Sequence, residues 1–309
     1  MPTREDIERA AELIRQGRLV AFPTETVYGL GANALDPEAV ERVYSAKQRP
    51  ATSPLIVHVD SIEMARRLVS LWPPQAELLA RVYWPGPLTI VLPKARVVPD
   101  RVTAGLSTVG LRVPAHPVAL ELIRAARVPI AAPSANRFTR LSPTIAEHVS
   151  RGLGDAVDLV LDGGPAAVGI ESTVISLAGE ARLLRPGMVT AEEIEALIGP
   201  VQSPPQPASA EAHAAPGLHP VHYSPRTPLH LVRDGQLPPG RVAAIWHRAP
   251  FPAAARAVRL PAAPSAYAAE IYRVLHELDA ENWDAIAVEA PPAEGAWAAI
   301  RDRLERAAV

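Results

Sequence analysis

The segment Pro23-Thr24-Glu25-Thr26-Val27-Tyr28-Gly29-Leu30-Gly31 sets hydroxyls, a carboxylate and a phenol beside two glycines, directly after an apolar stretch at 18–22. Loops at the ends of strands are where open α/β sheets bind ligands. Lys47 and Arg49 follow at the end of the next helix, a point charge and a planar donor fork suited to phosphate oxygens. Arg112 closes another apolar run. Such a cation is too costly to bury without an anionic partner, either a structural carboxylate or one on a substrate. Ser134 and Asn136, in Pro133-Ser134-Ala135-Asn136, offer a hydroxyl and an amide after a further strand. No nucleophile is paired with a base, so this chemistry is anion binding and alignment rather than covalent catalysis.

Other motifs carry less. Gly29-Leu30-Gly31-Ala32-Asn33-Ala34 fits a relaxed dinucleotide fingerprint, but residues 23–28 intervene where the turn should follow its strand at once. No Walker loop is present. His213, His219 and His222 lie close together in a proline-rich stretch without cysteine, and read as linker histidines rather than a metal site.

The elements that must position these residues follow from periodicity and caps. Thr3 with Asp6 resembles a capping box ahead of Ile7, Ala10, Ala11 and Ile14 at helical spacing, with Gly17 as the stop. Asp36-Pro37-Glu38 opens a second helix and Ser61 a third. Strands are expected at 18–22, 55–59, 88–92, 109–113, 129–132, 159–161, 173–177 and 182–184. Helices are expected at 118–127, 144–152 and 191–198, and 23–33 reads as a loop. This alternation is an α/β domain over 1–200. A proline-rich linker at 201–225 leads to a smaller α/β unit at 226–309, with strands at 229–232, 242–246 and 285–288 and helices at 265–280 and 294–307.

The 309 residues suit two domains, with 48% hydrophobic and 21% charged residues. Cysteine is absent, which removes disulfides, thiolate metal sites and cysteine nucleophiles. The start is acidic and amphipathic, not a signal peptide, and no apolar run reaches membrane-spanning length, so a cytoplasmic protein is expected. A net charge of −2 argues against broad binding to nucleic acid or anionic membrane. Residues 94–151 nonetheless hold nine basic and three acidic groups, whereas 152–200 hold two and eight. A locally basic middle suits a small anionic ligand.

Ten segments in order make a pattern: PTETVYGLG (23–31), KxRP (47–50), PLIVH (54–58), WPGPLT (84–89), TVGLRVP (108–114), APSAN (132–136), SPT (142–144), ESTV (171–174), RPG (185–187) and HYSP (222–225). With them the chain resembles the YrdC-domain family, in the long form of L-threonylcarbamoyladenylate synthase with an added C-terminal domain. The resemblance implies a YrdC-like twisted mixed sheet followed by a smaller Rossmann-like α/β domain. It implies a nucleotidyltransferase that joins L-threonine, bicarbonate and ATP into L-threonylcarbamoyl-AMP and pyrophosphate. The product would pass to the tRNA threonylcarbamoyl transferase machinery, which modifies the adenosine beside the anticodon.

By the same resemblance, Thr26, His58, Arg112, the backbone at Ala132 and Ser172 would hold threonine. Lys47, Arg49, Ser53, Thr108, Ser134, Asn136, Ser142, Arg185 and Tyr223 would hold the nucleotide, with Lys47 and Arg49 the catalytic cations. Ser53 stands where the family often has asparagine. Mg²⁺ would arrive only on the phosphates of ATP. Tyr223, on the linker, would close over the site as a strap and exclude water. Two alternatives compete: an RNA-binding YrdC-like module, with the basic middle making weak RNA contact, and a carbamoyl-adenylating enzyme. No motif distinguishes 226–309.

Overall fold

The computed structural model describes residues 1–50, 52–203 and 222–309. The linker expected at 201–225 therefore falls largely outside the described residues, as do His213 and His219. Among the described residues the first sheet has nine strands. These are β1 (Val20–Phe22), β2 (Gly29–Asn33), β3 (Ile56–His58), β4 (Leu88–Pro93), β5 (Thr108–Arg112), β6 (Ile130–Ala131), β7 (Leu159–Val160), β8 (Thr173–Ser176) and β9 (Arg182–Arg185). Their order is β7-β1-β2-β6-β3-β5-β4-β8-β9, with parallel and antiparallel pairs mixed. Eight helices accompany it: α1 (Arg4–Arg15), α2 (Pro37–Lys47), α3 (Ile62–Arg67), α4 (Pro74–Tyr83), α5 (Asp100–Thr103), α6 (Pro117–Ala126), α7 (Ala146–Leu153) and α8 (Ala191–Ile198).

The second sheet is wholly parallel, in the order β10 (Leu229–Val232), β13 (Ala285–Glu289), β11 (Val242–Trp246), β12 (Arg256–Arg259). Helices α9 (Pro264–Asp279) and α10 (Trp297–Ala307) pack on it. The expected mixed sheet and smaller Rossmann-like unit are both present.

Local sequence explains the helix ends. Thr3 and Asp6 form the reciprocal capping box, and Asp36 accepts from the amides of Glu38 and Ala39. Gln48 adopts a left-handed conformation (φ 53°) and ends α2, which turns the chain so that Arg49 follows the buried Lys47. Apolar faces of α1 and α6 pack together over Val20, Phe22 and Ile130.

Strand β2, helix α4, the short helix α5 and strand β12 depart from the sequence expectation. The stretch 23–33 is a loop only in its first half, because Gly29–Asn33 forms strand β2 inside the sheet. A Cβ on Gly31 would lie 2.7 Å from the Phe22 ring and 2.9 Å from Ile130 Cγ2, so the glycine serves close packing rather than a turn. The same fact removes the dinucleotide fingerprint: its glycines lie within a strand, not at a strand-to-helix turn. Helix α4 starts on Pro73-Pro74 with no side-chain cap, and β12 is a largely exposed edge strand with arginine at both ends.

The second core crosses between the two units. Val27, Leu141 and Ile170 from the first share a cluster with Tyr267, Ile271, Leu275 and Ile300 from the second. At the seam, Gly169 has φ +79° and a Cβ there would meet Ala268 O at 2.2 Å, so only glycine fits.

Candidate active site

Strands β3 and β5 run parallel with His58 opposite Arg112, so both reach the same carboxyl-terminal edge. The 23–28 loop crosses that edge. Thr24 Oγ1 donates to Val27 O (2.6 Å) and meets Thr26 Oγ1 at 2.8 Å, which fixes both hydroxyls. The Tyr28 hydroxyl donates to Gly164 O at 2.7 Å and anchors the far end of the loop.

Arg112 finds a structural partner. Its Nη2 lies 2.8 Å from Glu25 Oε1 with both side chains buried, and its Nε donates to Gly86 O at 3.1 Å. Glu25 Oε2 in turn accepts from Ala115 N at 3.0 Å. His58 is buried beside them, and its pKa is pushed down to about 3, first by burial and then by the Arg112 charge. It is therefore a neutral imidazole at physiological pH.

Lys47, Arg49 and Arg185 supply three further buried cations. Lys47 Nζ donates to the carbonyls of Ser134 (2.5 Å) and Asn136 (2.6 Å). Burial and the neighbouring Arg49 hold its pKa well below the usual lysine value. Arg49 donates to Pro54 O at 3.1 Å, and burial lowers its pKa to about 10. Arg185 bonds the carbonyl (3.1 Å) and hydroxyl (3.2 Å) of Ser172, whose Oγ also meets Thr89 Oγ1 at 2.8 Å. His222 sits among these cations. Its pKa is driven far down, by burial first and then by Arg49, Lys47, Arg185 and Arg303.

These groups enclose a cavity of about 40 Å³. Nine sequence-assigned residues line it: Thr26, Arg49, His58, Arg112, Ala132, Ser134, Ser172, Arg185 and Tyr223. Lys47 and Ser142 are buried behind the lining, reaching it through Ser134 and through Glu171. Asn136 and Ser224 instead border a neighbouring cavity of about 450 Å³ together with Arg137, Arg140, Arg151 and Arg226. Ser53 is buried, with its carbonyl accepting from Tyr44 at 2.8 Å. Thr108 begins β5 opposite Pro93, four residues from Arg112, or roughly 13 Å along a strand, and does not line the cavity.

Two carboxylates of the site escaped the sequence reading although both sit in quoted motifs: Glu171, which lines the cavity, and Glu25, which pairs with Arg112 behind it. An acidic residue next to apolar and hydroxyl residues in such a motif was the available signal. Arg303 and Tyr272, which reach Glu171 from the second sheet's helices, lie in no motif.

Tyr223 is buried, with φ 62°, a conformation that costs a non-glycine residue on the order of 1 kcal/mol or more. Its ring stacks against Tyr272 at 6.1 Å, and His222 packs edge-on to Phe138 at 5.8 Å. Among the described residues no group of three or more His, Cys, Asp or Glu side chains is arranged to hold a metal ion. No helix there is long and apolar enough to cross a membrane.

Fold and site together define an α/β protein with a buried, cation-lined cavity roofed by Tyr223. The sequence matches the family described as "Telomere recombination" over residues 12–187 and the "Threonylcarbamoyl-AMP synthase, C-terminal domain" over 189–309. It is 41% identical to the threonylcarbamoyl-AMP synthase of Bacillus subtilis, over 98% of this chain and 92% of that one. Its fold superposes on Pyrococcus abyssi Sua5 complexed with L-threonine with a TM-score of 0.92 at 40% identity, covering 99% and 95% of the two chains. Part of it, 60% of this chain, is similar to 29% of a full-length HypF in its phosphate- and nucleotide-bound form, with a TM-score of 0.52 at 25% identity. The chain belongs to the threonylcarbamoyl-AMP synthase family.

Proposed function

We propose that this chain condenses L-threonine, bicarbonate and ATP into L-threonylcarbamoyl-AMP, pyrophosphate and water. The observation that carries this reading is the set of buried cations around a neutral His222, with Arg49 and Arg185 lining one cavity and Lys47 directly behind its wall. Buried positive charge of this kind is costly unless a polyanion arrives to use it. The family relatives named above support ATP and threonine as that polyanion and its partner.

In this mechanism the threonine amine attacks the carbon of bicarbonate and water leaves, giving a carbamate. A carbamate oxygen then attacks the α-phosphorus of ATP, a new P–O bond forms, and the bond to pyrophosphate breaks. A carbamate is already nucleophilic, so the protein needs to align and neutralise rather than to abstract protons. Arg112, held by Glu25, faces the threonine carboxylate. Neutral His58 and the Thr26 hydroxyl orient the rest of the amino acid, and Ser172 joins the two halves through its bond to Arg185. Lys47, Arg49 and Arg185 take up charge on the phosphates, with Mg²⁺ entering as part of Mg–ATP.

The cavity of about 40 Å³ holds only about three water molecules. Nucleotide entry therefore requires His222 and Tyr223 to move away and return, shutting water out of the reaction. The product then serves transfer of the threonylcarbamoyl group to tRNA by a separate enzyme.

The test is pyrophosphate release from Mg–ATP with threonine and bicarbonate, leaving out each in turn. Release should need both co-substrates and fall when serine replaces threonine. Release independent of threonine, or tight RNA binding without any release, would contradict the assignment.

A further inference from the structure

Arg303, in the last helix of the second unit, is almost completely buried, 1% exposed, where a cation requires partners. Its Nε donates to Glu171 Oε2 at 2.8 Å, its Nη2 to Pro186 O at 2.9 Å, and its Nη1 to Asp302 Oδ2 at 2.6 Å. Its guanidinium carbon lies 5.3 Å from the centre of the Tyr223 ring. Three of these partners belong to separate segments of the first unit's site: the wall at Glu171, the turn after Arg185, and the roof at Tyr223. Glu171 passes the contact on, since its other oxygen accepts from Ser142 Oγ at 2.5 Å. Tyr272 reinforces it, with its hydroxyl 3.3 Å from Glu171 Oε2 and its ring against Tyr223. The same helix as Arg303 offers the carbonyl of Arg306 to His222 N at 3.0 Å.

We propose that Arg303 is a positioning residue for the nucleotide half of the site, neutralising Glu171 and latching Tyr223 in its closed place; this rests on the ATP-dependent reading above. Without Arg303, Glu171 faces the cavity as an unpaired carboxylate that repels phosphate and draws on the charge of Lys47 and Arg185. The second unit is then part of the reaction site rather than an appendage. An arginine that only joined the two units would leave the choice between substrates untouched.

The experiment compares full-length Arg303→Met, Arg303→Lys and the double variant Arg303→Met with Glu171→Gln, measuring pyrophosphate release with ATP varied at saturating threonine and the reverse. Arg303→Met should raise KM for ATP at least tenfold and leave KM for threonine within twofold. Arg303→Lys should recover part of the loss, and Glu171→Gln should improve the Met variant by removing the stranded charge. Equal changes in both KM values, an unchanged KM for ATP, or a double variant no better than Arg303→Met would overturn the proposal. If Arg303→Met does not fold, Tyr272→Phe decides. It keeps the ring, loses the hydroxyl on Glu171, and should raise KM for ATP about threefold with threonine unaffected; wild-type values would overturn the proposal. A wild-type protein that releases no pyrophosphate overturns the reading of the reaction instead, and this inference with it.

Discussion

Glu25→Gln isolates the ion pair at the threonine end of the cavity. The wild-type pair spans 2.8 Å with side-chain exposures of 4% and 10%, so both charges are out of water. Removing one partner of a buried pair costs about 3–5 kcal/mol, because the other charge is stranded. The glutamine oxygen still accepts from Arg112, which places the loss near about 3 kcal/mol, a fall in melting temperature on the order of 5–10 °C. The substitution also frees Arg112 to face an external carboxylate. Threonine at a hundred times its Kd stabilises any binder by about 2.7 kcal/mol. In the variant it should bind about tenfold more tightly and add about 1.4 kcal/mol to that figure at equal concentration. Urea unfolding followed by the fluorescence of the five tryptophans, with and without threonine, reads both quantities. Threonine stabilising the variant no more than the wild type would refute the placing of its carboxylate on Arg112.

Three further outcomes follow from the same geometry. Lys47→Met should slow pyrophosphate release about a hundredfold or more while threonine binding is unchanged, because the proposed mechanism assigns Lys47 to the phosphate charge; single-turnover rates and a threonine titration check it. His58 has a folded pKa of about 3, below its unfolded value of 6.5. Its unfolded form therefore gains a proton first, and between those two pH values folding stability falls by about 1.4 kcal/mol for each unit of acidification. His58→Gln should flatten that part of a stability-against-pH curve, and an unchanged slope would assign it elsewhere. Gly31→Ala should cost about 1–3 kcal/mol in urea unfolding, since its new methyl would overlap Phe22 and Ile130.

Much of the site could be read from the chain itself because its residues cluster in short segments next to strand ends, where few long-range contacts decide the outcome. The cap at Thr3, the helix opened by Asp36 and the strand ending on Arg112 were legible for the same reason. What escaped depended on tertiary contact. Strand β2 was hidden because Gly29 and Gly31 suggest a turn, and only the ring of Phe22 and the side chains of Ala132 and Ile130 show why they are glycines. Helix α4 begins on prolines without a polar cap, and β12 is a short, mostly exposed strand with arginine at each end, so neither carries its usual pattern. The Arg112 partner was open between protein and substrate, and the protein supplies one in Glu25, 87 positions away in the chain. Arg303 is the extreme case. Its partners Glu171 and Pro186 lie more than a hundred positions earlier, and its own helix, WAAIRDRLERA, reads as an ordinary amphipathic surface helix.

The most direct test of the central claim is to identify the product formed from ATP, L-threonine and ¹³C-labelled bicarbonate by mass spectrometry under conditions that preserve an acyl-adenylate. The account predicts threonylcarbamoyl-AMP carrying the label in its carbamoyl carbon, formed in step with pyrophosphate. An unlabelled adenylate of threonine, or AMP with no labelled intermediate at the earliest times, would contradict it.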